Sequence, residues 1–150
     1  GSGKDYKHLS IGNVPVYGTG GYMLSVNDYL YDGESVCIGR KGTIDKPVLL
    51  SGKFWTVDTL FYTHSFKSVL PKFIYAYFQM VNWKNYNEAS GVPSLSKSTI
   101  EKIDITIPTI EEQTKIANFL TSIDDKINNA QTQLAAVKQY KQGLLQQMFV

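Results

Sequence analysis

The feature that most constrains this chain is a long helical pattern near its C-terminal end. From Ile116 onward, apolar residues recur at alternating three- and four-residue steps, and neither proline nor glycine interrupts them before Gly143. The spacing is that of a heptad seam, whose core positions are Ile116, Leu120, Ile123, Ile127, Ala130, Leu134, Val137, Lys141, Leu144 and Met148. A helix of about 40 residues is about 60 Å long, more than a small domain can cover. The pattern therefore predicts a coiled-coil helix that requires a partner helix.

The seam contains one polar core residue, and a simpler interpretation than a coiled coil also exists for it. A single polar core residue such as Lys141 often fixes the register of a coiled coil at some cost in stability. An ordinary amphipathic helix packed on its own domain is the alternative, but the seam keeps its register over more than four heptads. We therefore predict helix-helix dimerisation through Ile116, Leu120, Ile123, Ile127, Leu134, Val137, Leu144 and Met148.

The start of this helix is also written in the sequence. Ile103, Ile105 and Ile107 alternate with polar residues, which predicts a half-buried strand that Pro108 ends. Thr109 is placed to cap the helix, and Glu112, three residues later, completes a capping box. We expect the long helix to begin directly after Thr109.

The rest of the chain holds enough apolar material for one globular domain. The 150 residues are 43% hydrophobic and 13% aromatic, which supports one domain and the helix but not two domains. Gly1-Ser2-Gly3 is interpreted as an expression-tag remnant, residues 4–108 as the domain and residues 109–150 as the helix. The predicted fold class is α+β, a small, mixed, strand-rich domain followed by the long coiled-coil helix.

Local signals place the elements within the domain. Strands are expected at Val14–Tyr17, Ser35–Ile38, Val48–Leu50 and Thr59–Tyr62, with a turn at Asp32-Gly33. Pro71 suits the first turn of a helix ending near Asn85, whose apolar face carries Ile74, Tyr77, Phe78 and Val81. Ser98 with Glu101 predicts a short capped turn.

Charge and cysteine usage narrow the function. Residues 1–103 carry 11 Lys or Arg against 8 Asp or Glu, whereas residues 104–150 carry 4 against 5, so the domain is the basic part. Such a bias directs an anionic partner to the domain. Cys37 is expected to be a buried small hydrophobe, and a single cysteine excludes a disulfide framework and suits a cytoplasmic location. No run of residues is long and apolar enough to span a membrane.

An ordered set of motifs covers nearly the whole chain. The pieces are Val14-Pro15-Val16-Tyr17-Gly18-Thr19-Gly20-Gly21, Ile38-Gly39-Arg40-Lys41-Gly42-Thr43, Asp58-Thr59-Leu60-Phe61-Tyr62, Gly91-Val92-Pro93-Ser94-Leu95-Ser96, and the join Ile105-Thr106-Ile107-Pro108-Thr109-Ile110-Glu111-Glu112-Gln113-Thr114-Lys115-Ile116. This set resembles the specificity subunit of type I restriction-modification enzymes. The join is the most specific piece. A full subunit of that family has two target-recognition domains and two long antiparallel helices, so the chain looks like a half subunit.

The resemblance implies a non-catalytic subunit that reads one half-site of a bipartite target in double-stranded DNA. It implies methyltransferase and restriction subunits as partners, which handle S-adenosylmethionine, ATP and magnesium, so this chain itself needs no cofactor. The helix is expected to pair with a second copy or with the other half of the subunit. The segment that usually precedes the Val14 strand is absent or shortened, which leaves the first strand of the domain open.

Candidate DNA contacts are small, hydroxyl-bearing or cationic residues on loops. Arg40 can present a planar fork to guanine or phosphate, although a plain basic hairpin tip is an equal alternative. The Gly18–Tyr22 segment is more simply a turn, and the serine-rich loop suits contacts that position DNA without specifying its sequence. The predicted contacts are Thr19, Gly20, Tyr22, Arg40, Lys41, Thr43, Lys53, Ser94, Ser96 and Lys97.

Enzymatic alternatives lack their motifs. The chain has no Asp/Asn-Pro-Pro-aromatic run, no phosphate-binding loop ending in Gly-Lys-Ser/Thr, no serine nucleophile elbow and no metal-ligand spacing. The aromatics of Lys53-Phe54-Trp55 and Trp83-Lys84-Asn85-Tyr86 are expected mostly in the core. The main competing hypothesis is a coiled-coil-displayed module that binds protein or carbohydrate.

Overall fold

The structure is a computed structural model that describes residues 1–149. It confirms the α+β class, because seven short strands precede a long terminal helix. The strands are β1 Ile11–Gly18, β2 Gly21–Val26, β3 Tyr31–Asp32, β4 Ser35–Gly39, β5 Val48–Leu50, β6 Lys53–Thr56 and β7 Leu60–Tyr62. The α-helices are α1 Pro71–Met80, α2 Lys97–Glu101 and α3 Ile110–Met148, with a 3-10 helix at Trp83–Tyr86. We call residues 1–108 the globe and α3 the rod.

The strands form two sheets. One has the order β2-β1-β6-β3 and the other the order β5-β4-β7. Among the strands of residues 1–149, only β1 and β6 pair in parallel, with Val16 opposite Trp55, and the other strand pairs are antiparallel. Gly18 lies opposite Gly21 in the β1-β2 hairpin, and Gly21 has a φ of 106°, a conformation that favours glycine. The Gly18–Gly21 segment is therefore a hairpin turn.

Buried aromatic and aliphatic side chains hold the sheets together. One cluster joins β4 and β7 to the helices, and its buried members are Ile38, Ile44, Phe61, Trp83 and Leu95. The indole N–H of Trp83 donates to the Phe78 carbonyl at 2.7 Å. Phe54, Trp55 and Cys37 are buried as well, which confirms the core interpretation of these residues.

The first residues of the chain lie along β7. The Gly3 N–H donates to the Leu60 carbonyl at 2.9 Å, and the Tyr62 N–H donates to the Gly1 carbonyl at 3.0 Å. The Lys4 N–H donates to the Thr56 carbonyl at 2.8 Å. This segment therefore adds to the edge of the three-stranded sheet, while the domain limits at residues 4 and 108 stay a prediction.

The predicted strand at Ile103–Ile107 is wrong. These residues form no ladder with any described strand, and the segment is an irregular extended connection. Ile103 and Ile105 are half-buried between exposed polar residues, and Ile103 packs against the core, but Ile107 is exposed. Pro108 also disfavours helical backbone in the residue before it. A segment that is half-buried against the core can thus show the alternating sequence pattern of a strand without pairing with another strand.

Two helix boundaries also differ from the prediction. Helix α1 begins at Pro71 as expected, but it ends at Met80 because Val81 is extended and Trp83 turns into the core. The short α2 is capped by Ser96, whose hydroxyl accepts from the Thr99 N–H at 3.1 Å. The hydroxyl of Ser98 instead contacts the Ser96 hydroxyl, so the predicted Ser98 cap is wrong.

The rod begins as predicted, and the side-chain amide of Gln113 joins it to the globe. The Thr109 hydroxyl accepts from the Glu112 N–H at 3.3 Å, which confirms the cap. The buried Gln113 side chain accepts from the Leu70 N–H at 2.8 Å and donates to the carbonyls of Pro108 and Ser68. Ala117 is buried where α1 packs on α3. Within residues 1–149, no helix combines the length and hydropathy that crossing a membrane requires.

Candidate nucleic-acid interface

Two loops that are about fifty residues apart in sequence meet at one edge of the globe. The Gly42 N–H donates to the Pro93 carbonyl at 2.8 Å, and the Leu95 N–H donates to the Arg40 carbonyl at 2.9 Å. Lys41 and Ser94 form the bridge between these bonds. The two motif segments predicted to contact DNA are therefore one surface.

Glycines shape the first of these loops. Gly42 has a φ of 92°, which favours glycine, and a Cβ on Gly39 would lie 2.0 Å from the Thr43 carbonyl oxygen. The backbone of residues 39–43 therefore doubles back closely on itself. This conformation projects the exposed side chains of Arg40 and Lys41 away from the core.

Arg40 is oriented without being neutralised by a carboxylate. Its backbone N–H donates to the Thr59 carbonyl at 2.7 Å, and Nη1 lies 3.4 Å from the Asp58 carbonyl oxygen. Within the described residues, the guanidinium has no salt bridge. Because a guanidinium carries five N–H donors in a planar fork, most of them stay available to a ligand.

The two loops border an open cleft of about 860 Å³. Its walls are Ser2, Arg40, Lys41, Asp58, Thr59, Phe61, Ala89, Val92, Ser94, Leu95, Ser96 and Lys97. Three cations and one carboxylate contribute to this lining, so the cleft has a positive balance. Lys97 also pairs with Glu101 at 3.5 Å, but both side chains are about two-thirds exposed, and such a pair is weak.

The hairpin tip approaches the same surface. A Cβ on Gly42 would lie 3.6 Å from the Thr19 hydroxyl, so Thr19 lies beside the Arg40 loop. Gly20 is exposed at the tip, and Tyr22 is 62% exposed with its hydroxyl 3.2 Å from that of Ser25. Thr19 therefore brings a hydroxyl next to the Arg40 loop, whereas Gly20 and Tyr22 are exposed on the hairpin but do not line the cleft.

The structure places the predicted contact residue Lys53 away from the cleft, and Gly20 and Tyr22 are also absent from its lining. Lys53 begins β6 and lies 4.7 Å above the Tyr29 ring centroid, whereas Asp58 of the cleft follows the end of that strand. At about 3.3 Å per residue, the three steps from Lys53 to Thr56 span about 10 Å, and Asp58 lies beyond that far end of the strand. Arg40, Lys41, Ser94, Ser96 and Lys97 line the cleft, Thr19 lies beside it, and the half-buried Thr43 closes the Arg40 loop.

Asn87 and Glu88, which the sequence did not single out, hold the serine loop in place. The Asn87 side-chain oxygen accepts from the Ser94 N–H at 2.9 Å. The Glu88 carboxylate accepts from the Thr99 hydroxyl and, at 3.2 Å, from the Ser96 N–H. The hydrogen bonds from Thr99 and Ser96 lower the pKa of Glu88 below its ordinary value. The only sequence signal is the polar run that precedes Gly91-Val92-Pro93.

These bonds change the role of the serines. The Ser96 hydroxyl accepts from the Thr99 N–H, and the Ser94 carbonyl accepts from the Glu88 N–H at 3.0 Å. Ser96 is therefore chiefly a cap, while the half-buried Ser94 keeps its hydroxyl at the cleft. Among residues 1–149, no three His, Cys, Asp or Glu side chains lie close enough together to hold a metal ion.

The rod presents a second surface. From Leu120 to Met148 its seam side chains are exposed, and the exposed fraction is 54% at Leu134, 63% at Val137 and 73% at Met148. Ile116, nearest the globe, is half-buried. The predicted dimerisation residues thus form one apolar stripe along α3.

The sequence profile of a family described as the type I restriction modification DNA specificity domain matches residues 3–139. The chain belongs to this family. It is 27% identical over 133 residues to the type I restriction enzyme MjaVIII specificity subunit of Methanocaldococcus jannaschii, covering 85% of the chain and 29% of that relative. It is 25% identical over 143 residues to the EcoprrI specificity subunit of Escherichia coli, covering 88% of the chain and 35% of that relative.

A solved structure shares the fold of this specificity-domain chain. The type I restriction-modification S subunit from M. genitalium superposes with a TM-score of 0.72 at 14% identity. The match covers 86% of this chain and 37% of that one. The chain thus spans about a third of the length of the relatives it matches.

Proposed function

We propose that this chain is a non-catalytic DNA-recognition module that reads one half-site of a bipartite duplex target. The observation that carries the proposal is the joining of the Arg40-Lys41 loop to the Ser94-Leu95 loop in one cationic cleft. Membership of the specificity-domain family supports it. The module contributes recognition, and methyl transfer and cleavage belong to other subunits.

The cleft offers the two kinds of contact that DNA recognition requires. Lys41, Lys97 and the backbone amides of the glycine loop suit phosphate, which positions a duplex without reading its sequence. Arg40, held by the Thr59 and Asp58 carbonyls, can direct its fork to the O6 and N7 atoms of guanine. Arg40 is therefore the residue we assign to base recognition.

Arg40→Ala tests this assignment against a matched cation outside the cleft, Lys53→Ala. Loss of a bidentate base contact costs about 1–3 kcal/mol and relaxes one target position, whereas loss of a phosphate contact weakens all sequences alike. Fluorescence anisotropy with a randomised duplex library measures both effects. Equal binding by Arg40→Ala, Lys53→Ala and the unaltered chain to every duplex would contradict the proposal.

The salt dependence of binding separates DNA recognition from the competing hypothesis of a protein- or carbohydrate-binding module. Release of counterions from phosphates makes the logarithm of the binding constant fall linearly with the logarithm of salt concentration. We expect such a slope for duplex DNA, reduced by about one in Lys41→Ala. Binding to a polysaccharide or an acidic protein, with none to DNA, would favour the competing module.

The partners follow from the specificity-subunit family. We propose that the chain works with methyltransferase and restriction subunits in the cytoplasm, and that those subunits hold S-adenosylmethionine, ATP and magnesium. The seam of α3 is proposed to pair antiparallel with a second copy of the chain. That arrangement places two identical globes at opposite ends of a rod, so the target is a palindrome with an unread spacer.

Sedimentation equilibrium tests the pairing. A dimer at micromolar concentration is expected, because unpaired seam residues leave about 1.5–3 kcal/mol of burial unrealised for each large side chain. A monomer under these conditions would contradict self-association. It would indicate instead that the rod pairs with the other half of a specificity subunit or with the methyltransferase.

A further inference from the structure

We propose a specific register for this pairing, with the two-fold axis at the level of Thr132. The inference rests on the proposed antiparallel dimer and adds which residues meet. In this register, core residues equally far from Thr132 along the sequence lie opposite each other. The pairs are Ile116 with Met148, Leu120 with Leu144, Ile123 with Lys141, Ile127 with Val137, and Ala130 with Leu134.

The globe excludes the register one heptad further inward. An antiparallel seam can slide only in seven-residue steps if its core positions are to stay in contact. Sliding the two helices past each other by one step, so that each end moves toward the opposite globe, sets Leu144 of the second copy against Gln113. Gln113 is 0% exposed and bonded to Leu70, Ser68 and Pro108, so it offers no surface. The Thr132 register is therefore the deepest overlap that the fold allows.

Charge favours the Thr132 register over the step outward. In it, Asp124 and Lys138, which flank the core on the same side, face each other across the pair. The two-fold axis repeats this contact, which gives two ion pairs. One step outward sets Asp124 against Leu145 of the second copy and removes both. Each pair contributes little to stability at an exposed site, but the difference distinguishes registers.

Apolar residues at the two ends of the rod also complement each other. Beside the start of α3 is a cavity of about 190 Å³, whose wall combines the polar Lys72, Gln79, Thr121 and Asp124 with Leu49, Tyr75, Ala76, Ala117 and Leu120. The far end of α3 exposes Leu144, Leu145 and Met148. The Thr132 register brings this last turn to the level of Ala117 and Leu120. The last turn of α3 in the second copy thus packs beside α1 and the start of α3.

Lys141 fits this arrangement as a core position. Opposite Ile123, its methylene stem can cover the isoleucine while the ammonium reaches solvent at the edge of the seam. The register one step outward would set Lys141 against Ala130, which offers less apolar surface. The polar residue therefore lies where the facing side chain is large.

Engineered cysteines test the register. Native Cys37 does not interfere, because it is buried and burial raises the pKa of its thiol to about 12. Gln131→Cys places two thiols beside the axis, and we expect a disulfide-linked dimer under mild oxidation. Thr132→Cys is the matched control, because it lies at the same level on the outer face of the helix. We expect no cross-link from it.

Mixed variants separate the remaining outcomes. Ile123→Cys mixed with Lys141→Cys should cross-link, whereas neither should do so alone. Cross-linking of Ile123→Cys with itself would show a parallel pair, and preferential linking to Leu134→Cys or Met148→Cys would show a shifted antiparallel register. Each of these results overturns the Thr132 register. DNA binding measured on the unaltered chain reports separately on the proposed function, and a monomer in sedimentation overturns the dimer itself.

Discussion

The globe and the rod contain similar apolar side chains, but the globe buries them and the rod exposes them. Trp83 in the globe is 1% exposed, whereas Ile127 and Leu134 in the rod are 49% and 54% exposed. The globe buries its apolar residues through contacts between segments far apart in sequence, while the rod arranges its own in a stripe that is exposed from Leu120 to Met148. Packing within the chain therefore covers the apolar residues of the globe, whereas the proposed pairing with a second copy would cover those of the rod.

The strongest test of this comparison breaks the rod alone. Ile123→Asp combined with Leu134→Asp puts charge into the seam and should abolish the dimer, because buried unpaired charges are costly. The globe should keep its fold, which circular dichroism and tryptophan fluorescence can check, because Trp55 and Trp83 both lie in the globe. Matched outer-face changes, Ser122→Asp with Thr132→Asp, should leave the sedimentation profile unchanged. Loss of the globe's fold in the seam variant would show that the two regions are not independent.

The converse change breaks the globe. Trp83→Ala removes a core side chain and its 2.7 Å hydrogen bond to Phe78, and we expect a loss of about 3–5 kcal/mol in unfolding free energy. Urea denaturation of the monomeric seam variant measures this value without the contribution of the dimer. In that background, Val137→Ala should change stability by less than about 0.5 kcal/mol, because Val137 is exposed.

The side chain of Gln113 makes the hydrogen bonds that join the rod to the globe. Gln113→Ala leaves the Leu70 N–H and two carbonyls without their partner, which should cost about 1–3 kcal/mol. Hydrogen exchange should show faster exchange of the Leu70 amide and of the first turn of α3. Gln133→Ala, on the exposed part of α3, is the control. Unchanged protection at Leu70 would argue against Gln113 as the anchor.

The stability of the loop that places Ser96 beside the cleft should depend on pH through the ionisation of Glu88. Because hydrogen bonds lower its pKa below the ordinary value of 4.5, its stabilising contribution is present above that value and lost as the pH falls through the lowered pKa. Amide exchange at Ser96, whose N–H donates to this carboxylate, should therefore rise in acid once corrected for intrinsic rates. Glu88→Gln should remove this pH dependence, and persistence of the dependence in that variant would assign it to another group.

The smallest expected effect concerns Thr56. Its hydroxyl is buried and is the only buried side-chain oxygen or nitrogen within the described residues that lacks a hydrogen bond. Thr56→Val keeps the shape and removes the unpaired group, so the unfolding free energy should stay the same or rise by up to about 1 kcal/mol. Ser35→Ala is the contrast. The Ser35 hydroxyl donates to the Thr63 carbonyl at 2.7 Å, so its removal should lower the unfolding free energy. Marked destabilisation by Thr56→Val would mean that the hydroxyl has a partner.

The sequence by itself determined features that depend on neighbours within a few turns. The seam of α3, the Thr109 cap, the Pro71 start of α1 and the Gly18–Gly21 turn follow from local periodicity and backbone chemistry, and the structure has them all. Burial of Phe54, Trp55 and Trp83 was also predictable, because large aromatic side chains in a small domain favour the core.

Only the tertiary structure decided which distant segments meet. Local alternation at Ile103–Ile107 predicted a strand, but a strand needs a neighbour, and this segment packs against the core without one. The closing of the cleft depends on the Gly42 and Leu95 hydrogen bonds, and the separation of Lys53 from it depends on strand direction in β6. Backbone pairing across about fifty residues leaves no periodic signal in either segment, because each hydrogen bond uses main-chain atoms that every residue type carries.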